Sequence, residues 1–232
     1  MSVHNDENNV KLAIESILHQ SYQDFEFLIM DDCSSDDTFE ICKDYSKLDD
    51  RINVYQNDNN LGLTKSLNKL LALAKGDFIA RQDSDDISLS ERFIKQINFI
   101  SENKLDGSTT RAIVKNSLKV TPNKSFYFPK KIIMKIKNPF IHGSLMLSRG
   151  SLQNIGGYDE KFYYAQDYKL LNDLLLNDYK LRILKEELYV LNLSDNISIK
   201  FKDKQKYYAD CVKKGISPIE NFKWKLLSVQ NL

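Results

Sequence analysis

The chain has 232 residues, 42% of them hydrophobic and 28% charged, a usage that supports a folded core and lacks the depletion that marks disorder. Its 33 basic and 32 acidic side chains leave a formal net charge of +1, so no global field draws it to nucleic acid, and function has to be read from local clusters. Cys33, Cys42 and Cys211 show no Cys-x-x-Cys spacing, which argues against a disulfide framework or a zinc site; with no spanning apolar run and no basic-then-apolar leader pattern, the cytoplasm is the expected setting.

In chain order, Val10, Ala13, Ile14, Ile17 and Leu18 recur at helical spacing, and Glu26 to Met30 reads as a short buried strand ending at Asp31 and Asp32. Ser34 and Ser35 are placed to cap a second helix carrying Ile41, Cys42, Tyr45 and Leu48, followed by a strand over Ile52 to Gln56. A third helix carries Leu63, Leu67, Leu70, Leu71 and Ala74, with Gly76 as its stop. Phe78 to Ala80 form a strand that runs into Arg81-Gln82-Asp83-Ser84-Asp85-Asp86, and Ser88 with Glu91 has the spacing of a capping box for a helix through Phe93, Ile94, Ile97 and Ile100.

From Ser101 to Lys137 the pattern weakens, with basic residues around Phe126, Tyr127 and Phe128. Leu145 to Leu147 then reads as a strand, Gly156-Gly157 as a tight turn, and Ala165 to Asn177 as a helix with Asp167 in its first turn. Beyond Ser198 lysines interleave with Tyr207, Tyr208 and Trp224, a composition that suits a solvated appendage or a peripheral contact with an anionic bilayer. Strands alternating with helices predict an α/β fold, a mainly parallel central sheet flanked by helices, and ligands held beyond the carboxyl ends of the strands. Asp31, Asp32, Asp83 and Asp85 all fall at such ends.

Three carboxylates within four positions repel one another unless a cation or several donors compensate them. Mg²⁺ or Mn²⁺ suits such a set, because these ions take one or two carboxylates and complete their shells with water and phosphate oxygens. A solvated, helix-capping acidic turn is the plainer reading of the same residues. For Asp167 the plainer reading is a carboxylate complementing a helix dipole. A lone histidine such as His142 is more often structural than functional, and Lys65 reads as an exposed helix lysine.

The ordered fragments Val3-His4-Asn5-Asp6-Glu7, Ser16-Ile17-Leu18-His19-Gln20-Ser21-Tyr22, Ile29 through Thr38, Asn60-Leu61-Gly62-Leu63 with Asn68, Gly76 through Asp86, and Gly156-Gly157-Tyr158-Asp159 with Gln166-Asp167 resemble the family 2 inverting glycosyltransferases of the GT-A fold. The resemblance covers residues 3 to about 199 and implies a glycosyltransferase domain over 1–199, with a nucleotide-sugar half (1–100), an acceptor half (101–199) and an appendage over 200–232. It implies that Asp31 or Asp32 accepts a hydrogen bond from the base of a UDP-sugar, with Glu7 close by and Asp83 facing the ribose or sugar. Asp85 would bind the metal, Asp86 would be a neighbouring ligand or orienting group, and Asp167 would be the general base. A glycan or lipid-linked saccharide would be the acceptor, which places the work at the cytoplasm or the inner face of a membrane. Three departures stand out. The first strand keeps only Met1-Ser2-Val3, Gln166 replaces the usual glutamate, and Leu193 to Ser198 lacks the arginine and histidine common in relatives. The shortened strand and Gln166 motivate the rival reading of a noncatalytic domain that binds a nucleotide sugar or glycan.

Overall fold

A computed structural model of the chain describes residues 1–193 and 201–219. The first half is built from β1 (Ser2–Val3), α1 (Val10–Leu18), β2 (Phe27–Asp31), α2 (Thr38–Leu48), β3 (Ile52–Gln56) and α3 (Leu63–Leu73). Val10, Ala13, Ile14 and Ile17 of α1 are buried on one face, as their 3.6-residue recurrence requires. The three strands pair in parallel in the order β1-β2-β3, with Ser2 opposite Met30 and Phe27 opposite Ile52. Parallel pairing makes the chain cross over through a helix each time, so β2 ends on the same side of the sheet as β1 and β3.

The second half holds β4 (Phe78–Ala80), β5 (Ile87–Ser88), α4 (Arg92–Glu102), β6 (Gly107–Val114), β7 (Val120–Thr121), α5 (Lys130–Ile133), β8 (Met146–Ser148), α6 (Arg149–Asn154), α7 (Gln166–Leu176), β9 (Leu181–Leu191) and α8 (Lys202–Lys214). Its sheet runs β4-β8-β6-β9-β5, with β7 added to β6. Parallel pairing is confined there to β6 with β9; β4 with β8, β6 with β8, β6 with β7 and β5 with β9 are antiparallel. The α/β class is as expected, while the parallel character belongs to the first sheet and the second is mixed. Each sheet has its own cluster of apolar side chains, one around Ile14, Ile17, Phe27 and Ile29, the other around Leu147, Leu170, Leu171 and Leu174. Met146 of β8 and Phe78 and Ala80 of β4 pack into the first cluster and join the halves.

Three local expectations are corrected. Ser34 and Ser35 do not cap α2, which starts at Thr38 after Asp37; the Ser34 hydroxyl donates to Asp31 instead. Ser88 and Glu91 form no capping box, since Ser88 lies in β5 with its hydroxyl on Gln82 Oε1 at 2.6 Å, and α4 opens at Arg92 without a side-chain cap. Helix α3 ends at Leu73, before Gly76. The described part of the basic tail packs as α8, where Cys211 and Val212 enter the same cluster as Leu170 and Leu171. Trp224 and the segment 194–200 that covers most of Leu193 to Ser198 lie outside the described residues.

Candidate active site

The carboxyl end of β2 delivers Asp31 and Asp32 side by side, and both are buried. Asp31 accepts from the Ser34 amide at 3.0 Å, from the Ser34 hydroxyl, and from Gln56 Nε2 at 3.0 Å. Asp32 accepts from Asn57 Nδ2 at 2.7 Å and from the amides of Leu61 and Gly62 at 2.9 and 2.8 Å. A carboxylate offers about four lone-pair directions, so each keeps roughly one for anything else. Asp32 thereby seats the loop that opens α3, where Gly62 has φ +85° and Tyr163 fills the space a Cβ would need.

The first loop is stitched to the start of α2. Asn5 Oδ1 accepts from the Ser35 amide, Glu7 Oε2 from the Asp37 amide at 3.0 Å, and Asp36 Oδ2 from the Glu7 amide. Glu7 on the Asp37 amide and Asp36 Oδ1 on the Thr38 amide occupy donors that the N-terminus of α2 leaves free, with favourable dipole alignment. Asp6 turns the other way: its Oδ2 accepts from the Ser84 hydroxyl at 2.6 Å, which links the loop after β1 to the acidic loop after β4.

In that acidic loop the three carboxylates differ in surroundings. Asp83 pairs with the guanidinium of Arg81, itself buried, and its amide donates to the Tyr189 hydroxyl at 3.2 Å. Asp85 is partly buried, and desolvation first, then Asp83 and Asp6, push its carboxyl up to about 6. Asp86 is buried and accepts from the Asn192 amide at 2.6 Å, and burial again drives its carboxyl upward. Asp86 therefore ties the loop to the end of β9, while Asp85 is held near two acids with Arg81 engaged on Asp83.

Behind the loop lies a wall that requires glycine. A Cβ on Gly143 would sit 2.2 Å from the Tyr189 hydroxyl and 2.6 Å from Asp83 Oδ2. Arg92, fully buried, donates to the Gly143 carbonyl at 3.4 Å and stacks its guanidinium 5.5 Å from the Tyr189 ring, with Nε and Nη2 lacking a hydrogen-bond partner among the described residues. Beside it, His142 Nε2 bonds the Tyr158 hydroxyl at 2.8 Å. Burial first and Arg81 second lower the His142 pKa, against Asp167 and Asp83. Asp167, in the first turn of α7, accepts from Asn138 Nδ2 at 2.8 Å. Asn138 also lines a cleft of about 400 Å³ with Thr121, Asn123, Lys124 and Lys137.

The structure thus brings Asp83, Asp85 and Asp86 together with Asp6, and sets Asp167 on the far side of the Arg81, His142 and Tyr158 group. Asp31, Asp32 and Glu7 gather at the β2 end, and Lys65 is exposed on α3. Sequence reasoning gave no role to Asp6, Arg81, Arg92, Asn138 or Tyr189; Asp6 and Arg81 carried a local signal, as parts of Asn5-Asp6-Glu7 and of Gly76 through Asp86. Among the described residues no set of three His, Cys, Asp or Glu side chains is spaced to hold a metal by itself. The donors present fit Mg²⁺ or Mn²⁺ only as one or two carboxylates sharing the ion with phosphate and water. A second cleft, of about 550 Å³, is lined by the apolar side chains of Phe27, Leu67, Phe78, Phe93 and Met146 and reaches Arg81 and Tyr158 at one end.

Comparison with known proteins places this arrangement. The model of glycosyl transferase family 2 matches residues 1–156. An uncharacterized glycosyltransferase of Methanocaldococcus jannaschii is 31% identical over 226 residues, covering 90% of this chain and 75% of the relative. The O-antigen biosynthesis glycosyltransferase WbnJ of Escherichia coli is 35% identical, over 73% of this chain and 68% of its own. Bacillus subtilis EpsE, assigned to the glycosyltransferases by name only, is 37% identical over 161 residues, and the match spans 58% of its length. Among solved structures, residues 1–349 of S. aureus TarS in complex with UDP superpose with TM-score 0.74 at 22% identity, over 94% of this chain and 65% of that one. A mannosyltransferase of Pyrobaculum calidifontis, crystallised with GDP-Man and Mn²⁺, gives 0.72 at 14% identity, over 94% of this chain and 64% of that one. These structural likenesses show the fold, that of the GT-A glycosyltransferases.

Proposed function

The chain belongs to glycosyl transferase family 2 and is a glycosyltransferase, and from that premise we propose that it moves one sugar, with inversion, from a UDP-sugar to a glycan or lipid-linked acceptor. The observation that carries the reading is the loop at the end of β4, where Asp83 and Asp85 come together with Asp6, which accepts from Ser84 of the same loop, and where burial first and then Asp83 and Asp6 raise Asp85. A divalent cation bridging to a diphosphate would relieve that crowding and stabilise the departing nucleoside diphosphate. Asp85 is the ligand in this scheme, Asp86 holds the loop's orientation from Asn192, and Asp83 faces the ribose or sugar. Asp31, or the remaining lone pair of Asp32, takes the base, with Glu7 fixing the loop beside it.

Residues 1–100 would then be the donor half and 101–199 the acceptor half. The 400 Å³ cleft beside Asn138 is the acceptor entrance in this reading. Asp167 takes the proton of the attacking hydroxyl on the oxygen that Asn138 leaves free, as the anomeric carbon loses the diphosphate from its opposite face.

The test is a panel of nucleotide sugars with Mn²⁺ or Mg²⁺, followed by calorimetry and by release of nucleoside diphosphate. Asp85→Asn is expected to abolish the ion-dependent part of donor binding. Asp167→Asn is expected to keep donor binding and to lose about 10²-fold or more in turnover, the scale of general-base contributions. Untouched ion-dependent binding in Asp85→Asn would remove the proposal, and binding without turnover in the unaltered chain would turn it toward a noncatalytic nucleotide-sugar binder.

A further inference from the structure

Charge is distributed unevenly along this nearly neutral chain. Between Asp106 and Asp159 there are seven lysines, two arginines and no acidic residue. Arg111 is engaged with Glu187 and Lys131 with Asp178, and Lys130 donates to the carbonyls of Ser125, Phe126 and Phe128, while Lys119, Lys124, Lys135 and Lys137 are exposed.

Large apolar side chains lie among these cations on the outside of the molecule. Tyr127, Phe128, Ile132 and Ile136 are each between 56% and 73% exposed. Backbone bonds from Met134 to Lys130 and from Lys137 to Ile133 carry the helical turn of α5 onward to 137. Ile132 and Ile136 therefore lie one turn apart on one side of this segment, Phe128 stands just before its N-cap Pro129, and Lys131 and Lys135 repeat beside the isoleucines. Met134, on the other side, is buried and anchors the turn to the core through the Tyr168 hydroxyl, which donates to its carbonyl. Exposed apolar residues on other helices, such as Leu48 and Leu176, stand singly. A contiguous apolar ridge flanked by lysines marks an interaction surface.

We propose that the ridge of Phe128, Ile132 and Ile136, with its flanking lysines, docks the protein on an anionic lipid bilayer, the aliphatic and aromatic side chains entering the headgroup boundary. The pairing of exposed apolar bulk with the exposed cations Lys119, Lys124, Lys135 and Lys137 selects this occupant. A soluble polyanion would reward the lysines and leave Ile132 and Ile136 in water, whereas a bilayer takes up both. The surface adjoins the cleft holding Lys124, Lys137 and Asn138, so docking here brings that cleft to the membrane, and it places the contact on the body of the molecule rather than on its C-terminal tail.

The experiment is flotation of the full chain with phosphatidylcholine vesicles with and without 30 mol% phosphatidylglycerol, at low salt and without donor or acceptor, so its outcome is independent of the catalytic reading. The expected result is binding that requires the anionic lipid. It should fall about tenfold or more in Ile132→Ser/Ile136→Ser and about tenfold in Lys119→Gln/Lys135→Gln, while Trp224→Ser binds as the parent does. An unchanged thermal midpoint shows that each variant is folded, since all four altered positions of the two double variants are exposed. Equal binding by Ile132→Ser/Ile136→Ser and the parent would overturn the proposal, as would loss of binding in Trp224→Ser alone. Competition by polyphosphate that the isoleucine substitutions leave unaltered would equally overturn it, marking the lysines as a polyanion site.

Discussion

Replacing Asp32 separates its place in the scaffold from any place in binding. Its carboxylate receives two backbone amides, Leu61 and Gly62, and the Asn57 side-chain amide. Asn57 keeps a second partner in Ser66 Oγ at 2.9 Å, so Asp32→Ala orphans the two backbone donors. An unsatisfied buried donor costs about 1–3 kcal/mol, which puts Asp32→Ala at about 2–6 kcal/mol. Asp32→Asn retains one accepting oxygen and turns an NH₂ toward one amide, for about 1–3 kcal/mol. Urea unfolding of parent and variants measures both, and the expected order is Ala worse than Asn. A loss under about 1 kcal/mol in Asp32→Ala would refute the clamp, and would do so most directly if UDP affinity fell at the same time, since the carboxylate would then be serving the ligand.

Two further expectations rest on Gly143 and His142. Gly143→Ala forces Tyr189 and Asp83 apart and should cost about 1–3 kcal/mol by overpacking as well as weakening donor binding, whereas Gly150→Ala meets nothing within 4 Å inside α6 and should gain about 0.5–1 kcal/mol; parallel thermal melts and calorimetry compare them. His142, facing Arg81, Tyr158, Asp83 and Asp167, has its pKa lowered on folding, so the unfolded chain binds a proton that the folded one refuses. Stability should therefore drop as pH falls below the ordinary imidazole range near about 6.5, and part of that slope should vanish in His142→Gln; an imidazole NMR resonance titrating at its ordinary value would contradict this.

The legibility of the chain followed how local each signal was. The helices α1, α3 and α7 were readable because their burial follows a 3.6-residue period, and the strands at 52–56 and 78–80 because each is a short run bounded by turn residues, although neither alternates in burial. Strand β6 escaped because Ser108, Thr109 and Thr110 are buried as polar residues, with Gln96 and Ser144 bonding Ser108 and the Thr110 amide, and so show no apolar alternation. The capping-box spacing at Ser88 misled for a related reason: the Ser88 hydroxyl found Gln82 across the loop, and tertiary contact overrode the local motif. At the site, the acidic positions were readable as a motif. The residues that shape them, Tyr189 and Asn192, lie 106 positions further along the chain and reach the loop only through β9.

The two sheets share no hydrogen-bonded strand pair. Strand β1 pairs with Met30 and Asp31 of β2, and the loop after β1 is joined to the loop after β4 by side chains, the Ser84 hydroxyl donating to Asp6 at 2.6 Å. A continuous ladder would transmit shear stiffly from one half to the other; side chains meeting across a seam resist separation but yield to sliding. The loop that begins at Arg81 is held to the first half by such side-chain contacts, so they, and not a ladder, set the spacing between the carboxylates after β2 and those after β4.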